Sequence, residues 1–439
     1  MSFVSIIISI IILSILVIVH EFGHFILAKK NGIFVKEFSV GFGPRIISHV
    51  SKKSGTRFSW KAIPFGGSCR MLGALEDEND ETDDERSFDK KSVWARMSVI
   101  LAGPFFNFFL AFILAVIVIA SIGYDPATVT YVEPDSPMYE AGIREGDLIV
   151  KYNGEKVNFG REIYLTNYLH PIDSDNKAID ITYMRDGEKY SVSVVPKEIE
   201  YYGVGFSYYA NEEPAEIAEV TEDGPLAQAG LKEGDVIISI NGTEISTGKE
   251  LNEYFDSHPV SGDELVITYT HRGVEKEARV TPRAQKAYRL GFSYNLQNQK
   301  TTALGTLKYS FAEMKYQIVS VFKSLAILVS GKGSLDMLSG PVGIVEIVGT
   351  TYDASVSSGF VTTLMNMLSI MMLLSANLGI LNLLPIPALD GGKFLLLIIE
   401  AIRRKPIPKK YEGIITVVGA VLIMLLAAVV LVNDVMKFF

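Results

Sequence analysis

Two histidines four residues apart bracket the run His20-Glu21-Phe22-Gly23-His24, inside an otherwise uncharged apolar stretch from Phe3 to Ala28. On a helix this spacing puts both imidazoles on one face, about 6 Å apart along the axis, where both can point at one cation. Glu21 lies beside them, placed to hold a water rather than the ion. This is the spacing of a zinc protease helix. With six histidines in 439 residues, a chance match is rare. A charged group near the centre of a lipid-facing helix costs roughly 2.5–3.5 kcal/mol, so three ionisable groups this close need a reason, and metal ligation supplies one. Packing or an interhelical hydrogen bond is the plainer reading of a lone membrane histidine.

The motif must be held by membrane helices. Four stretches reach the length of about 20 apolar residues that a span requires: Phe3–Ala28, Val99–Gly123, Val361–Leu384 and Ile414–Val432. The first is expected to be retained rather than cleaved as a signal peptide, since no basic residue precedes its apolar core and it has no small-x-small site. Lysine and arginine crowd the loop between spans one and two, from Lys29 to Arg96. They also crowd the link between spans three and four, at Arg403-Arg404-Lys405 and Lys409-Lys410. The positive-inside bias predicts that both loops are cytoplasmic and that both termini and Tyr124–Thr350 lie outside. A net charge of −9 argues against nucleic-acid binding. The acidic run Glu76–Glu85 reads as solvated surface, and the single Cys69 excludes an internal disulfide.

Catalytic zinc takes three protein ligands and keeps one position open. Span three ends Asn377-Leu-Gly-Ile-Leu-Asn382-Leu-Leu-Pro385-Ile-Pro387-Ala-Leu-Asp390-Gly391-Gly392-Lys393. Pro385 and Pro387 must break the helix, and Gly391 and Gly392 allow a sharp turn. Non-helical backbone at membrane depth is tolerated only beside protein or a watery cavity, which places Asp390 next to one. His20 lies about 13 Å from the cytoplasmic end of its helix, and span three runs inward to break near that same end. Asp390 is therefore expected at the depth of the histidines. An ordinary helix-capping aspartate is the alternative; the histidine pair favours a ligand.

The external region contains a repeat at an offset of 88 residues. Ser136-Pro-Met-Tyr-Glu-Ala-Gly-Ile-Arg-Glu-Gly-Asp147 continues to Asn153-Gly154, and Gly224-Pro-Leu-Ala-Gln-Ala-Gly-Leu-Lys-Glu-Gly-Asp235 continues to Asn241-Gly242. Each copy predicts a short helix, a tight turn, a strand and an Asn-Gly hairpin. Each later reaches a Gly-Phe strand start, at Gly203-Val-Gly-Phe206 and Arg289-Leu-Gly-Phe292. The pattern resembles bacterial PDZ domains, which bind extended peptides by strand addition; spacers or a size filter are equally open readings. Thr301–Ser330 reads as an amphipathic helix at the membrane surface or, more plainly, a core-packing helix. Gly331–Ile344 either lines or gates the way in, or is a flexible connector.

Together, His20-Glu-Phe-Gly-His24, the tandem PDZ pair and Asn382-Leu-Leu-Pro-Ile-Pro-Ala-Leu-Asp390-Gly resemble the site-2 protease family of intramembrane metalloproteases, over nearly the whole chain. The resemblance implies a polytopic α-helical membrane protein with four transmembrane helices, a membrane-reentrant β-hairpin and two tandem α+β PDZ domains. The expected divisions are span one (1–30), a cytoplasmic or reentrant loop (31–95), span two (96–124) and PDZ domains at 127–207 and 208–295. They continue with the amphipathic helix and connector (301–345), span three with the third-ligand motif (361–393), a short apolar helix (394–402) and span four (412–434). Gly41-Phe-Gly-Pro44 and Pro64-Phe-Gly-Gly67 look like the family's hairpin, although glycine and proline also punctuate plain turns. Zn2+ held by His20, His24 and Asp390 would acidify a water, with Glu21 as general base and then acid. The resemblance further implies that Asn382 contacts substrate backbone, where an interhelical hydrogen bond is the physical alternative. The loop from about Val35 to Leu72 is expected to pair with an unwound substrate segment.

By the same resemblance, the partners are single-span membrane proteins, such as an anti-sigma factor already trimmed outside in an envelope stress response, and remnant signal peptides. The location would be a bacterial inner membrane, with the active site toward the cytoplasm and no small-molecule cofactor or nucleic acid. The rival reading is a PDZ scaffold or chaperone whose metal site is structural and closed by a fourth protein ligand. A metal transporter is a third, and it would need more polar residues along the spans.

Overall fold

In hydrocarbon the backbone must satisfy its own hydrogen bonds, so the apolar stretches are helical despite their many β-branched residues. The computed structural model describes residues 3–74, 84–172, 177–211, 213–331 and 340–436. Most of the Glu76–Glu85 acidic run and of the Gly331–Ile344 segment lies outside the described residues. The chain divides into two units, a membrane unit of Met1–Asp125 with Gln297–Phe439, and a repeat unit of Pro126–Leu296.

The membrane unit opens with α1 (Phe3–Lys30), then β1 (Val35–Val50) and β2 (Arg57–Met71), then α2 (Val93–Ile122), whose first turn is capped by the Ser92 hydroxyl. The β1–β2 ribbon curls on itself. Val35–Val40 pairs with Gly67–Met71 on one side and also neighbours Arg57–Trp60, while Arg45–Val50 pairs back along Arg57–Lys61. Gly41, at φ 85°, allows the bend, and a Cβ there would lie 2.3 Å from the Ile63 carbonyl oxygen. The outer face of the ribbon is apolar: Ile46, Ile47, Trp60 and Ile63 are each more than half exposed.

The repeat unit contains two modules. The first comprises β3 (Val129–Val132), α3 (Pro137–Glu140), β4 (Leu148–Tyr152), β5 (Glu155–Lys156), α4 (Gly160–Leu169), β6 (Ile179–Arg185) and β7 (Glu188–Val194), with sheet order β5-β4-β6-β7. After β8 (Lys197–Gly203) and β9 (Phe206–Tyr208), the second repeats the plan: β10 (Ile217–Val220), α5 (Pro225–Gln228), β11 (Val236–Ile240), β12 (Thr243–Glu244), α6 (Gly248–Ser257), β13 (Leu265–His271) and β14 (Val274–Val280). Then come β15 (Arg283–Arg289) and β16 (Phe292–Tyr294).

Strand pairing crosses the sequence-drawn division at 207/208. β9 pairs with β10 of the second module, whereas β16, at the far end of the unit, returns to pair with β3 of the first. The cores agree: Leu290, Phe292 and Tyr294 pack with Val129, Met138 and Ile149, while Val204 and Phe206 pack with Ile217, Leu226 and Ile237. The second module is thus nested within the first, and β8 pairs with β15 where the chain leaves and re-enters. Each Gly-Phe strand start serves the other repeat, because strands choose partners by register and burial rather than by nearness in sequence.

Back in the membrane unit, α7 (Ala303–Val329) packs on α2 and α9 (Phe360–Leu383). It buries Thr306, Ser310, Glu313 and Gln317 and exposes Leu304, Phe311 and Val329. Its polar stripe faces inward, where Gln317 donates to Glu313 at 2.8 Å. α8 (Pro341–Val356) precedes α9, α10 (Asp390–Arg403) follows it, and α11 (Lys409–Met436) closes the chain. Among the described residues, four helices are long and apolar enough to cross a membrane: Phe3–Lys30, Val93–Ile122, Phe360–Leu383 and Lys410–Asp434. Ile12, Leu16, Ala111, Ala115, Met371 and Ala376 build the core where α1, α2 and α9 meet.

Candidate metal centre

His20 and His24 sit one turn apart on α1, both buried, and Asp390 is the first residue of α10. The two Nε2 atoms are 3.2 Å apart, and Asp390 Oδ2 lies 3.0 Å from His20 Nε2 and 3.3 Å from His24 Nε2. Zinc bonds of about 2.0–2.1 Å in tetrahedral geometry place ligand atoms about 3.3 Å apart. The triangle has the size of one face of that tetrahedron.

Proton placement decides what the triangle can hold. His24 Nδ1 is 2.8 Å from the Val99 carbonyl oxygen, which only accepts, so Nδ1 carries the proton and Nε2 presents a lone pair. His20 Nδ1 is 3.1 Å from the Asn107 amide. With the amide turned so that its oxygen faces the ring, Asn107 accepts from Nδ1–H and His20 Nε2 is likewise a lone pair. Asp390 Oδ2 is itself buried with no hydrogen-bond donor. With both imidazoles protonated at Nδ1, two nitrogen lone pairs and a carboxylate oxygen converge with no proton between them. That arrangement fits a cation, and the outward hydrogen bonds are those that orient histidine ligands to zinc.

α2 contributes shape as well as hydrogen bonds. A Cβ on Gly103 would lie 2.4 Å from His24 Nε2 and 2.7 Å from His20 Nε2, so only glycine leaves the ligand face open. A Cβ on Gly23 would meet the Ala102 carbonyl oxygen at 2.4 Å, so α1 and α2 touch backbone to backbone here. Sequence reasoning missed Val99, Gly103 and Asn107; a lone amide and a Gly-Pro pair in an apolar span were the available signal.

The Asp390 loop is also tightly built. Asp390 begins α10 directly, with no loop between it and the expected 394–402 helix. Gly391 and Gly392 are required less for dihedral freedom than for space, since Cβ atoms there would lie 2.3 Å from the carbonyl oxygens of Leu383 and Ile386. Ala388 adopts φ 78°, a left-handed conformation unusual for alanine. On the far side, a Cβ on Gly419 of α11 would meet the Pro387 carbonyl oxygen at 2.2 Å. Arg96 of α2 and Glu400 of α10 form a two-point ion pair that fixes the other end of α10.

Glu21 is half-buried and turned toward the hairpin. It interacts electrostatically with His20, His24 and Asp390 and accepts a hydrogen bond from the backbone amide of Cys69. The position of a Gly67 Cβ is 3.7 Å from its Cγ, and the Pro64 carbonyl oxygen accepts from Ser14 of α1 at 2.8 Å. The β2 edge therefore runs along α1 beside the histidines. Asn382, in the last turn of α9, is half-buried and is not one of the three converging side chains.

Comparison with known proteins agrees with this geometry. The description "Peptidase family M50" matches residues 8–426. The zinc metalloprotease RasP of Geobacillus kaustophilus is 32% identical over 447 residues, covering 99% of this chain and 98% of its own. RasP of Bacillus licheniformis is 32% identical over 449 residues, covering 98% of each chain. A structure of the HtrA3 PDZ domain bound to a phage-derived ligand matches 21% of this chain and 93% of its own, at 16% identity and a TM-score of 0.18. It is the repeat sequence and strand order, not that likeness, that make the two modules PDZ domains. The chain belongs to peptidase family M50, and is a multi-pass membrane zinc metalloprotease of the site-2 type.

Proposed function

We propose that this protein hydrolyses peptide bonds within or near the transmembrane segments of single-span proteins, with the catalytic centre toward the cytoplasmic side. The observation that carries the residue assignments is the convergence of His20 Nε2, His24 Nε2 and Asp390 Oδ2 on one point. These three hold the zinc, which when bound supplies Lewis acidity and an acidified water. Val99 and Asn107 hold the imidazoles in the tautomer that leaves Nε2 free. Glu21 takes the water's proton at its carboxylate and returns it to the departing amine.

A helical substrate hides its amides in its own hydrogen bonds, so it must be unwound before it is cut. The β2 edge beside Glu21 offers backbone partners for the unwound strand, and Asn382 provides a further polar contact to substrate backbone. The orientation rests on the lysines and arginines of the 31–95 loop and of Arg403–Lys410. In this reading the PDZ modules select substrates, by binding an exposed terminus or by excluding bulky external domains. An anti-sigma factor trimmed by an earlier protease, and remnant signal peptides, meet that requirement.

The test is purified protein in vesicles with a membrane-anchored substrate. Glu21→Gln is expected to retain stoichiometric zinc and to lose cleavage by about 10²-fold or more. Turnover at the wild-type rate would remove Glu21 from the mechanism. A fourth protein ligand to the metal would favour the structural-site reading instead.

A further inference from the structure

We infer that Glu37 is a positioning residue: its buried carboxylate joins all the segments of the curled β1–β2 ribbon and so seats the Gly67–Met71 edge against the Glu21 face of α1. The inference rests on the reading of that edge as the strand that receives substrate.

Glu37 is 3% exposed, in a ribbon whose outer face is apolar. A buried carboxylate is costly unless it is paired and fully hydrogen-bonded, and Glu37 meets that condition through the ribbon itself. Arg45, in the second half of β1, donates from Nε to Oε1 at 2.7 Å and from Nη2 to Oε2 at 2.9 Å. Ser59, in the first half of β2, donates to Oε1 at 2.6 Å. Arg70, in the second half of β2, places Nη1 3.8 Å from Oε2. One side chain thus reaches from the first half of β1 to its second half and to both halves of β2. The Arg45 guanidinium holds the Glu37 carboxyl down at about 2, so the hub is ionised at working pH.

Only the curled form brings these groups together. An uncurled two-stranded ribbon would lose the Val35–Val40 contact with Arg57–Trp60 and leave a carboxylate facing lipid or water. Buried ion pairs of this kind are best attested as specifiers of register, and a one-residue slip would turn every side chain of the strand over. The consequence for catalysis lies at the edge: Cys69 donates its backbone amide to Glu21, and its side chain packs with Ala28, Ile33, Val35 and Val99 between ribbon and helices. The seat of the ribbon and the place of the general base are therefore one contact.

Cys69 is the chain's only cysteine and is 7% exposed, so its reactivity reports the seating with no cysteine added or removed. The experiment compares wild type and Glu37→Gln in vesicles by three readouts: Cys69 alkylation by a membrane-permeant maleimide, zinc content, and cleavage of a membrane-anchored substrate. Expected are alkylation at least about 10-fold faster, unchanged zinc, and cleavage reduced about 10- to 100-fold, as for a reactant held out of place. Unchanged protection of Cys69 would overturn the inference whatever happens to cleavage, and so would loss of zinc along with cleavage. Exposed Cys69 with full cleavage would uphold the hub and overturn the substrate-strand reading. Should Glu37→Gln fail to fold, Ser59→Ala removes one of the hydrogen bonds and must shift Cys69 reactivity in the same direction, to a smaller extent; no shift would overturn the inference.

Discussion

Asp390 in the membrane unit and Asp147 in the repeat unit are both withdrawn from water, and their surroundings differ in kind. Asp147 accepts from the Arg144 amide at 2.8 Å and from Arg185 Nε and Nη2 at 2.7 Å each. Its counterpart in the second repeat, Asp235, accepts from the Lys232 amide at 2.9 Å and faces His271 Nδ1 at 2.6 Å. Asp390 Oδ2 faces two imidazole nitrogens, and the His24 ring commits its proton to the Val99 carbonyl on its other side. A carboxylate ringed by donors is complete and holds a turn. One that faces lone pairs is completed only by a cation. Burial of an acidic group therefore does not by itself separate scaffold from chemistry; the donors around it do.

The largest effect that tests this contrast comes from removing the two charges in parallel. Asp390→Asn is expected to lose zinc and to drop cleavage to background, because an amide is a poor metal ligand. Asp147→Asn is expected to keep zinc and cleavage within a few-fold, while destabilising the repeat unit by roughly 1–3 kcal/mol, the cost of an imperfectly satisfied buried group. Metal analysis and thermal unfolding of the two variants give the comparison directly. Stoichiometric zinc in Asp390→Asn would end the distinction.

The next effects come from α2, which touches the metal site without supplying a ligand. Gly103→Ala puts a methyl group where the Nε2 atoms converge, so zinc affinity should fall sharply in a protein that otherwise folds, with overpacking costing about 1–3 kcal/mol. Asn107→Ala keeps the space and removes the acceptor for His20 Nδ1; a loss of about 10- to 100-fold in metal affinity is expected. Competition with a chelator measures both. An Asn107→Ala variant that holds zinc as tightly as wild type would show that His20 needs no partner to set its tautomer.

These two residues also show where the sequence stops being readable. His20, Glu21, His24 and Asp390 announce themselves because ionisable side chains are expensive in an apolar run and their spacing fits one helix and one break. Gly103 acts by having no side chain, and its role exists only once α2 is packed against α1. Periodicity identifies spans but not which faces meet. The same limit applies to the repeats: the 88-residue offset is plain, yet the nesting of the second module rests on β16 returning to β3 across the whole unit. Curling of the β1–β2 ribbon is in part a long-range choice: Gly41 permits the bend locally, but the meeting of Glu37 with Arg45 and Ser59 is not written in any one segment. α7 inverted the usual rule, since its exposed face is apolar and its buried face polar.

The smallest effects separate the two repeats from each other. Arg185 gives Asp147 two hydrogen bonds and sends a third to the Gly142 carbonyl oxygen at 2.8 Å, whereas His271 gives Asp235 one. Both partners are partly exposed, so solvent screens much of the charge and the hydrogen-bond count should govern. At about 1 kcal/mol for each bond lost, Arg185→Ala should destabilise its module by more than His271→Ala does, by an amount near the difference in bonds. Hydrogen exchange at β4 and β11, the equivalent strands of the two modules, resolves the effects within one protein. Equal losses would mean that the turn amides of Arg144 and Lys232, which both repeats share, already satisfy these carboxylates. In that case the contrast with Asp390 would rest on the backbone donors alone, since no comparable amide reaches its Oδ2.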